Sequence, residues 1–219
     1  MSIASNIQAI RSKLPPQVTL VAVSKTKPAA DILEAYNAGQ RIFGENKIQE
    51  MASKYEQMPK DIQWHMIGHV QSNKVKQMAS FVTLVHGVDS LKLLEEIDKQ
   101  AQKHNRVIDC LLQIHIADEE TKFGMDENEL TELLDSSEYQ NLKNIKVKGL
   151  MGMATFTDNQ QQIEKEFKFL KLIFDRISAN HPEMDTLSMG MSGDYEMAIA
   201  CGSNMVRIGS SIFGERNYH

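Results

Sequence analysis

The chain has 219 residues, 42% of them apolar and 24% charged, which is an ordinary globular composition with enough length for one sizeable core. A net charge of −5 argues against a general nucleic-acid binder, which needs a basic face. No apolar run approaches a membrane span and no signal peptide opens the chain, so a cytoplasmic protein is expected.

Strand-like and helix-like segments alternate along the chain. Residues 2–14 form an amphipathic pattern stopped by Pro15 and Pro16. Residues 18–25, VTLVAVSK, read as a buried strand, and Pro28 then suits the first turn of a helix over 29–37 that Gly39 ends. Strand 41–44 precedes helix 45–57, and strand 62–67 precedes a helix over 73–79. Strand 81–86 leads to Ser90, which caps a strongly periodic helix through Lys103. Strand 106–116 is followed by a loop and a helix over 127–134. Strand 145–150 is followed by a long helix over 159–179, with apolar positions at Ile163, Phe167, Leu170, Phe174 and Ile177. A short strand at 186–188, a helix at 195–201 and a strand at 205–208 complete the series.

Eight strands with a helix in every interval imply right-handed βαβ units. The expected fold is a single (β/α)8 TIM barrel over residues 1–219, with an extra N-terminal helix packed on its outside or base. An open doubly wound sheet is the alternative. Cys110 and Cys201 lie far apart without CxxC spacing and read as reduced core filler.

In a barrel, chemistry belongs at the C-terminal ends of the strands. Lys25 ends the first strand there, where partial desolvation makes an amine a nucleophile toward carbonyls; the plain alternative is a solvated loop lysine beside Lys27. Gly209 and Ser210 follow the eighth strand, and Ser192 follows the seventh. Together they can cradle a phosphate on the opposite arc of the rim from Lys25, or they can be only a turn and a helix cap. An amine and a phosphate cradle suit pyridoxal 5′-phosphate, which has an aldehyde and a phosphate. Arg207 can then face the pyridine nitrogen and keep it unprotonated, or can pair with an acid inside the barrel. His65 and His69 lack the glutamate of a zinc motif, and GHVQSNK at 68–74 lacks the second glycine of a nucleotide loop, so no metal site is expected. Met151, Met153, Met189 and Met191 fall at strand ends and pack or line a pocket.

Seven segments carry a family resemblance: AVSKTKP (22–28), FGENKIQE (43–50), WHMIGHVQSNK (64–74), ETKFGM (120–125), GLMGM (149–153), LSMGMSGDYEMAI (187–199) and VRIGSSIFGER (206–216). In this order they resemble the pyridoxal phosphate homeostasis proteins, small relatives of the amino-terminal barrel of alanine racemase. The resemblance implies a barrel of that type holding pyridoxal phosphate as a Schiff base on Lys25. Ser192, Gly209 and Ser210 match phosphate-binding positions, and Arg207 matches the arginine near the pyridine nitrogen. Asn46 and His65 match motifs near the cofactor, and Met151 and Ser188 match positions lining the pocket. Ser210 stands where threonine is common and Asn204 replaces a common threonine. Gly152 replaces a bulkier residue, so packing under the ring is expected to differ.

Alanine racemase adds a second domain with a catalytic tyrosine, and the chain reaches His219 soon after its eighth strand, so that domain is expected to be missing. Tyr36, Tyr55, Tyr139 and Tyr195 are not expected at the rim, and Tyr218 lies in the tail. The reading is a monomeric pyridoxal phosphate-binding protein of vitamin B6 homeostasis, with pyridoxal phosphate-dependent apoenzymes as candidate recipients. A weak amino-acid racemase is the alternative, and a Schiff-base aldolase or phosphosugar enzyme is a third reading.

Overall fold

The computed structural model describes residues 2–214. Eight strands form a closed parallel barrel in sequence order: β1 (Thr19–Val23), β2 (Ile42–Glu45), β3 (Gln63–Met66), β4 (Leu84–Val88), β5 (Ile108–Gln113), β6 (Ile145–Met151), β7 (Thr186–Met191) and β8 (Met205–Ile208). Pairing of β1 with β8, Val21 opposite Arg207 and Ala22 opposite Ile208, closes the ring and rules out the open sheet. The helices are α1 (Ile3–Lys13), α2 (Ala29–Asn37), α3 (Ile48–Gln57), α4 (Leu91–Lys103), α5 (Glu127–Asp135), α6 (Ser137–Asn141), α7 (Gln160–Ser178), α8 (Tyr195–Ala200) and α9 (Ser210–Phe213), with a 3₁₀ turn at Ser72–Gln77.

Period-2 side chains divide the apolar residues into two cores. A small interior cluster holds Val21, Leu84, Leu111, Met151 and Met205. The larger cluster lies between strands and helices and includes Phe43, Trp64, Leu112, Leu150 and Val206. Burying each large apolar side chain there stabilises the fold by about 1.5–3 kcal/mol. In α4, Ser90 accepts from Leu93 N–H, and Leu93, Leu94, Ile97 and Ala101 are buried, as the periodicity expects. In α7 the buried stripe runs through Ile163, Phe167, Leu170, Ile173 and Ile177, and Phe174 is only partly buried. Helix α1 packs on the outside: Ile7 and Ile10 are buried, and Asn6 Nδ2 donates to Ile212 O at the start of the last turn.

Several boundaries differ from the sequence expectation. β4 starts at Leu84 rather than 81, because Phe81 is used to stack on Tyr55 of α3, with ring centroids 4.1 Å apart. β5 is confined to Ile108–Gln113, and β7 extends to Met191. The helix expected at 73–79 is a 3₁₀ turn, and the short helices α6 and α9 are additional.

Candidate functional site

The mouth end of β1 carries Ser24, Lys25, Thr26 and Lys27 on a tight turn. Lys27 N–H donates to Ser24 O at 3.0 Å, and Thr26 adopts φ +64°, a left-handed conformation that threonine rarely takes. Lys25 is half-buried. Behind the turn, Lys54 of α3 is buried and donates to Ser24 O (2.8 Å), Glu45 Oε1 (2.7 Å) and Glu50 Oε1 (2.7 Å). Ser24 Oγ donates to Glu45 Oε1, and Thr26 N–H donates to Glu50 Oε1, each at 2.6 Å. Burial pushes the Glu45 carboxyl up against the opposing pull of Lys54.

Across the β1–β8 seam sits Gly209. A Cβ there would lie 3.2 Å from Val23 Cβ and 3.3 Å from Val23 O, so the two strand ends meet closely, and a side chain at 209 would need Val23 to give by a few tenths of an ångström. The cradle therefore neighbours the turn of Lys25 and does not occupy the opposite arc. Ring closure makes the first and last strands adjacent. Ser192 Oγ accepts from Gly209 N–H at 3.2 Å, which leaves its own hydroxyl hydrogen to donate. Ser192 is not the cap of α8; Asp194 holds that position and its Oδ1 accepts from Met191 N–H at 2.6 Å. Ser210 is exposed on the first turn of α9, where backbone N–H groups lack intrahelical acceptors.

Inside the barrel below this rim, Arg207 is 3% exposed. Its Nη1 donates to Ser188 Oγ at 2.5 Å and its Nη2 to Gly152 O at 3.1 Å. Among the described residues no carboxylate forms an ion pair with it, so the acid-paired alternative does not hold. Burial lowers its pKa to about 10, with partial compensation from Asp194. Two of the five guanidinium hydrogens are engaged in these bonds.

Ser188 continues the chain inward. His86 Nδ1 lies 2.9 Å from Ser188 Oγ, and His86 Nε2 lies 2.9 Å from His65 Nδ1. Arginine only donates, so Ser188 accepts from Arg207, and His86 bridges Ser188 Oγ and His65 Nδ1 with one ring nitrogen on each. Both rings stay neutral: burial lowers His65 to about 3 and His86 well below the ordinary histidine value, the latter helped by neighbouring His65 and then by the Arg207 charge. Met151 is fully buried beside Val21 and Leu111.

The structure thus brings Lys25, Ser192, Gly209 and Ser210 together at one rim, with Arg207, Ser188, His65 and Met151 in the interior beneath. Asn46 is half-buried at the end of β2. It lines a side hollow of about 260 Å³ with Ile48, His69 and Lys74. A second hollow, of about 370 Å³, lies at the opposite end of the barrel around Arg11, Pro16 and Gln63. Gly152 turns its open side to the outer core. A Cβ there would meet Leu170 Cδ2 of α7 at 2.7 Å, and only its carbonyl reaches Arg207. Met189 is likewise fully buried in the outer core rather than lining a pocket. Among the described residues no cluster of three His, Cys, Asp or Glu is poised for a metal, and no helix is long and apolar enough to cross a membrane.

Sequence reasoning placed Glu45 at the rim without a role and missed His86, Glu50 and Lys54. The Glu50–Lys54 spacing of four on one helix face was the available signal for part of the clamp. His86 carried none, since it ends an apolar strand pattern. Tyr36 bonds Asp61, Tyr55 stacks on Phe81, and Tyr195 bonds Glu196. Tyr218 lies outside the described residues.

The model of the alanine racemase N-terminal domain matches residues 1–217. A pyridoxal phosphate homeostasis protein of Vibrio alginolyticus is 40% identical, over 99% of each chain. The chain belongs to the alanine racemase N-terminal domain family, among the pyridoxal phosphate homeostasis proteins. The solved structure of PipY from Synechococcus elongatus without PLP has a TM-score of 0.91 at 35% identity, over 97% of this chain and all of PipY. PipY with PLP bound scores 0.88 at the same identity and the same coverage. An alanine racemase from Clostridium difficile, at 15% identity and a TM-score of 0.80, covers 99% of this chain and 60% of its own, and shows the shared fold.

Proposed function

We propose that this barrel binds pyridoxal 5′-phosphate and serves its intracellular homeostasis, as the names of its relatives say of them. The carrying observation is the β1–β8 seam, where the turn of Lys25 adjoins Gly209 and the Ser192 hydroxyl. The aldehyde and the phosphate arm of this cofactor sit on neighbouring ring carbons, so an adjacent amine and cradle fit it. When bound, the cofactor would supply an aldehyde, a carbonyl that the Lys25 amine could condense with at the loss of water. Ser192, Gly209 and Ser210 would hold the phosphate. Arg207 has guanidinium hydrogens beyond those given to Ser188 and Gly152, and only an unprotonated pyridine nitrogen can accept one. Ser188 and His65 orient Arg207 from beneath, Met151 packs the floor, and Asn46 borders the mouth.

We further read the protein as a carrier rather than a racemase. Racemisation needs acid–base groups on both faces of a substrate, and the interior histidines are engaged with each other and held neutral. One barrel domain acting as a monomer in the cytoplasm, handing cofactor to dependent apoenzymes, completes the reading. The unpaired thiols of Cys110 and Cys201 support a reducing compartment. Incubation with pyridoxal phosphate followed by gel filtration should leave a yellow protein. A colourless protein would overturn the binding reading. Amino acids in deuterated water should show no exchange at Cα; exchange that is lost in Lys25→Ala would reinstate the racemase.

A further inference from the structure

Lys54 is a buried cation that the cofactor site does not use directly. Its three ammonium hydrogens are all engaged: one by the Ser24 carbonyl, one by Glu45 Oε1 and one by Glu50 Oε1. These acceptors bracket Lys25. Ser24, on one side, gives Lys54 its carbonyl and bonds Glu45 through its hydroxyl. Thr26, on the other side, is held by its N–H on Glu50 at φ +64°. A non-glycine residue keeps that conformation only where its surroundings impose it. A buried ion pair is weak support for stability, because desolvation of both charges offsets their attraction. The second oxygen of Glu45, Oε2, is buried without a hydrogen-bond partner, which makes this cluster costlier still. Its consistent product is the geometry of one turn.

We infer that Lys54 is a positioning residue for Lys25: through Ser24, Glu45 and Glu50 it clamps the strand-end turn so that the Lys25 amine is presented to an aldehyde held on the neighbouring phosphate cradle. This rests on the pyridoxal phosphate reading. The clamp touches residues 24 and 26 and leaves the cradle to β7 and β8. It therefore acts on capture of the aldehyde and not on recognition of phosphate or ring.

Two ligands separate those roles. Pyridoxal 5′-phosphate has the aldehyde; pyridoxamine 5′-phosphate keeps ring and phosphate but cannot join to an amine. Wild-type protein is titrated first, by visible absorbance for the aldehyde and by competition for the amine. Failure to bind either ligand sinks the binding reading itself. In Lys54→Met the apparent dissociation constant for the aldehyde should rise roughly tenfold or more, as misplacement of a reacting group does, with the amine unaffected. Equal weakening of both ligands would show a merely structural role, and no change in either would show no role; each overturns the inference. Should Lys54→Met fail to fold, Glu50→Ala decides by the same criterion. It removes the acceptor for Thr26 N–H from a partly exposed position. Glu50→Gln, which keeps an acceptor oxygen, should restore aldehyde capture; failure to restore it would count against the clamp.

Discussion

Two cations near the barrel mouth are held in opposite ways. Behind Lys25 the holding structure is ionic: Lys54, Glu45 and Glu50 grip the backbone from outside the barrel wall, between β1, β2 and α3. Around Arg207 it is neutral: Ser188, His86 and His65 form a hydrogen-bonded file through the barrel interior. The difference follows from what each must hold. A turn is fixed by gripping its peptide groups, and carboxylates with an ammonium do that strongly. A guanidinium proposed to face a pyridine nitrogen is better oriented by neutral groups, since a carboxylate partner would favour a protonated site nearby.

The largest expected effect tests the Lys25 side. Lys25→Ala should abolish the borohydride-stable cofactor adduct while leaving the far-ultraviolet circular dichroism and melting transition in place. Retention of a stable adduct would assign the link to another lysine. The Arg207 side should respond in stability. His86→Leu takes from Ser188 Oγ and from His65 Nδ1 the histidine nitrogen that each bonds, and both are buried. Denaturant unfolding should show a loss of about 2–4 kcal/mol. A loss indistinguishable from zero would mean the file does no holding.

Acid should then set the two regions against each other. The folded pKa of His65, about 3, lies below the value of 6.5 for an unexposed-to-field histidine in the unfolded chain. The unfolded chain therefore binds the proton first, and stability falls as pH drops from about 6.5 toward 3. By pH 5 this costs about 2 kcal/mol for this one group. Glu45 runs the other way. Its folded pKa is raised, so acid relieves a penalty and offsets part of the loss. Chemical denaturation against pH should show a steeper decline in Glu45→Gln than in wild type; a shallower decline would reverse the assignment. The smallest effect lies on the outer face of the barrel wall, behind the Gly152 carbonyl that accepts from Arg207. Gly152→Ala brings a methyl 2.7 Å from Leu170 Cδ2 on the outer face, so it should cost about 1–3 kcal/mol of stability with cofactor affinity unchanged. Weakened affinity would place residue 152 under the ring after all.

The barrel was legible because strand and helix periods alternate cleanly, as the buried stripes of α4 and α7 confirm. The rim residues were legible because they sit at strand ends, which one rule of barrel architecture singles out. Adjacency of Lys25 to Gly209 was hidden, since 184 positions separate them in sequence (209 − 25) and only ring closure joins them. His86 was hidden for the same reason, its partners lying 21 and 102 positions away. Lys54 looked like any lysine on an amphipathic helix, because its burial depends on two carboxylates and a carbonyl converging in space.

The central claim is that Lys25 tethers a phosphorylated aldehyde beside the β8 cradle. The most direct measurement loads the protein with one equivalent of pyridoxal 5′-phosphate, reduces it with borohydride, and locates the added mass by peptide mapping. The account predicts a single modified peptide, carrying the group on Lys25, with inorganic phosphate at high concentration competing for loading. Modification spread over surface lysines, or concentrated on a residue other than Lys25, would contradict it.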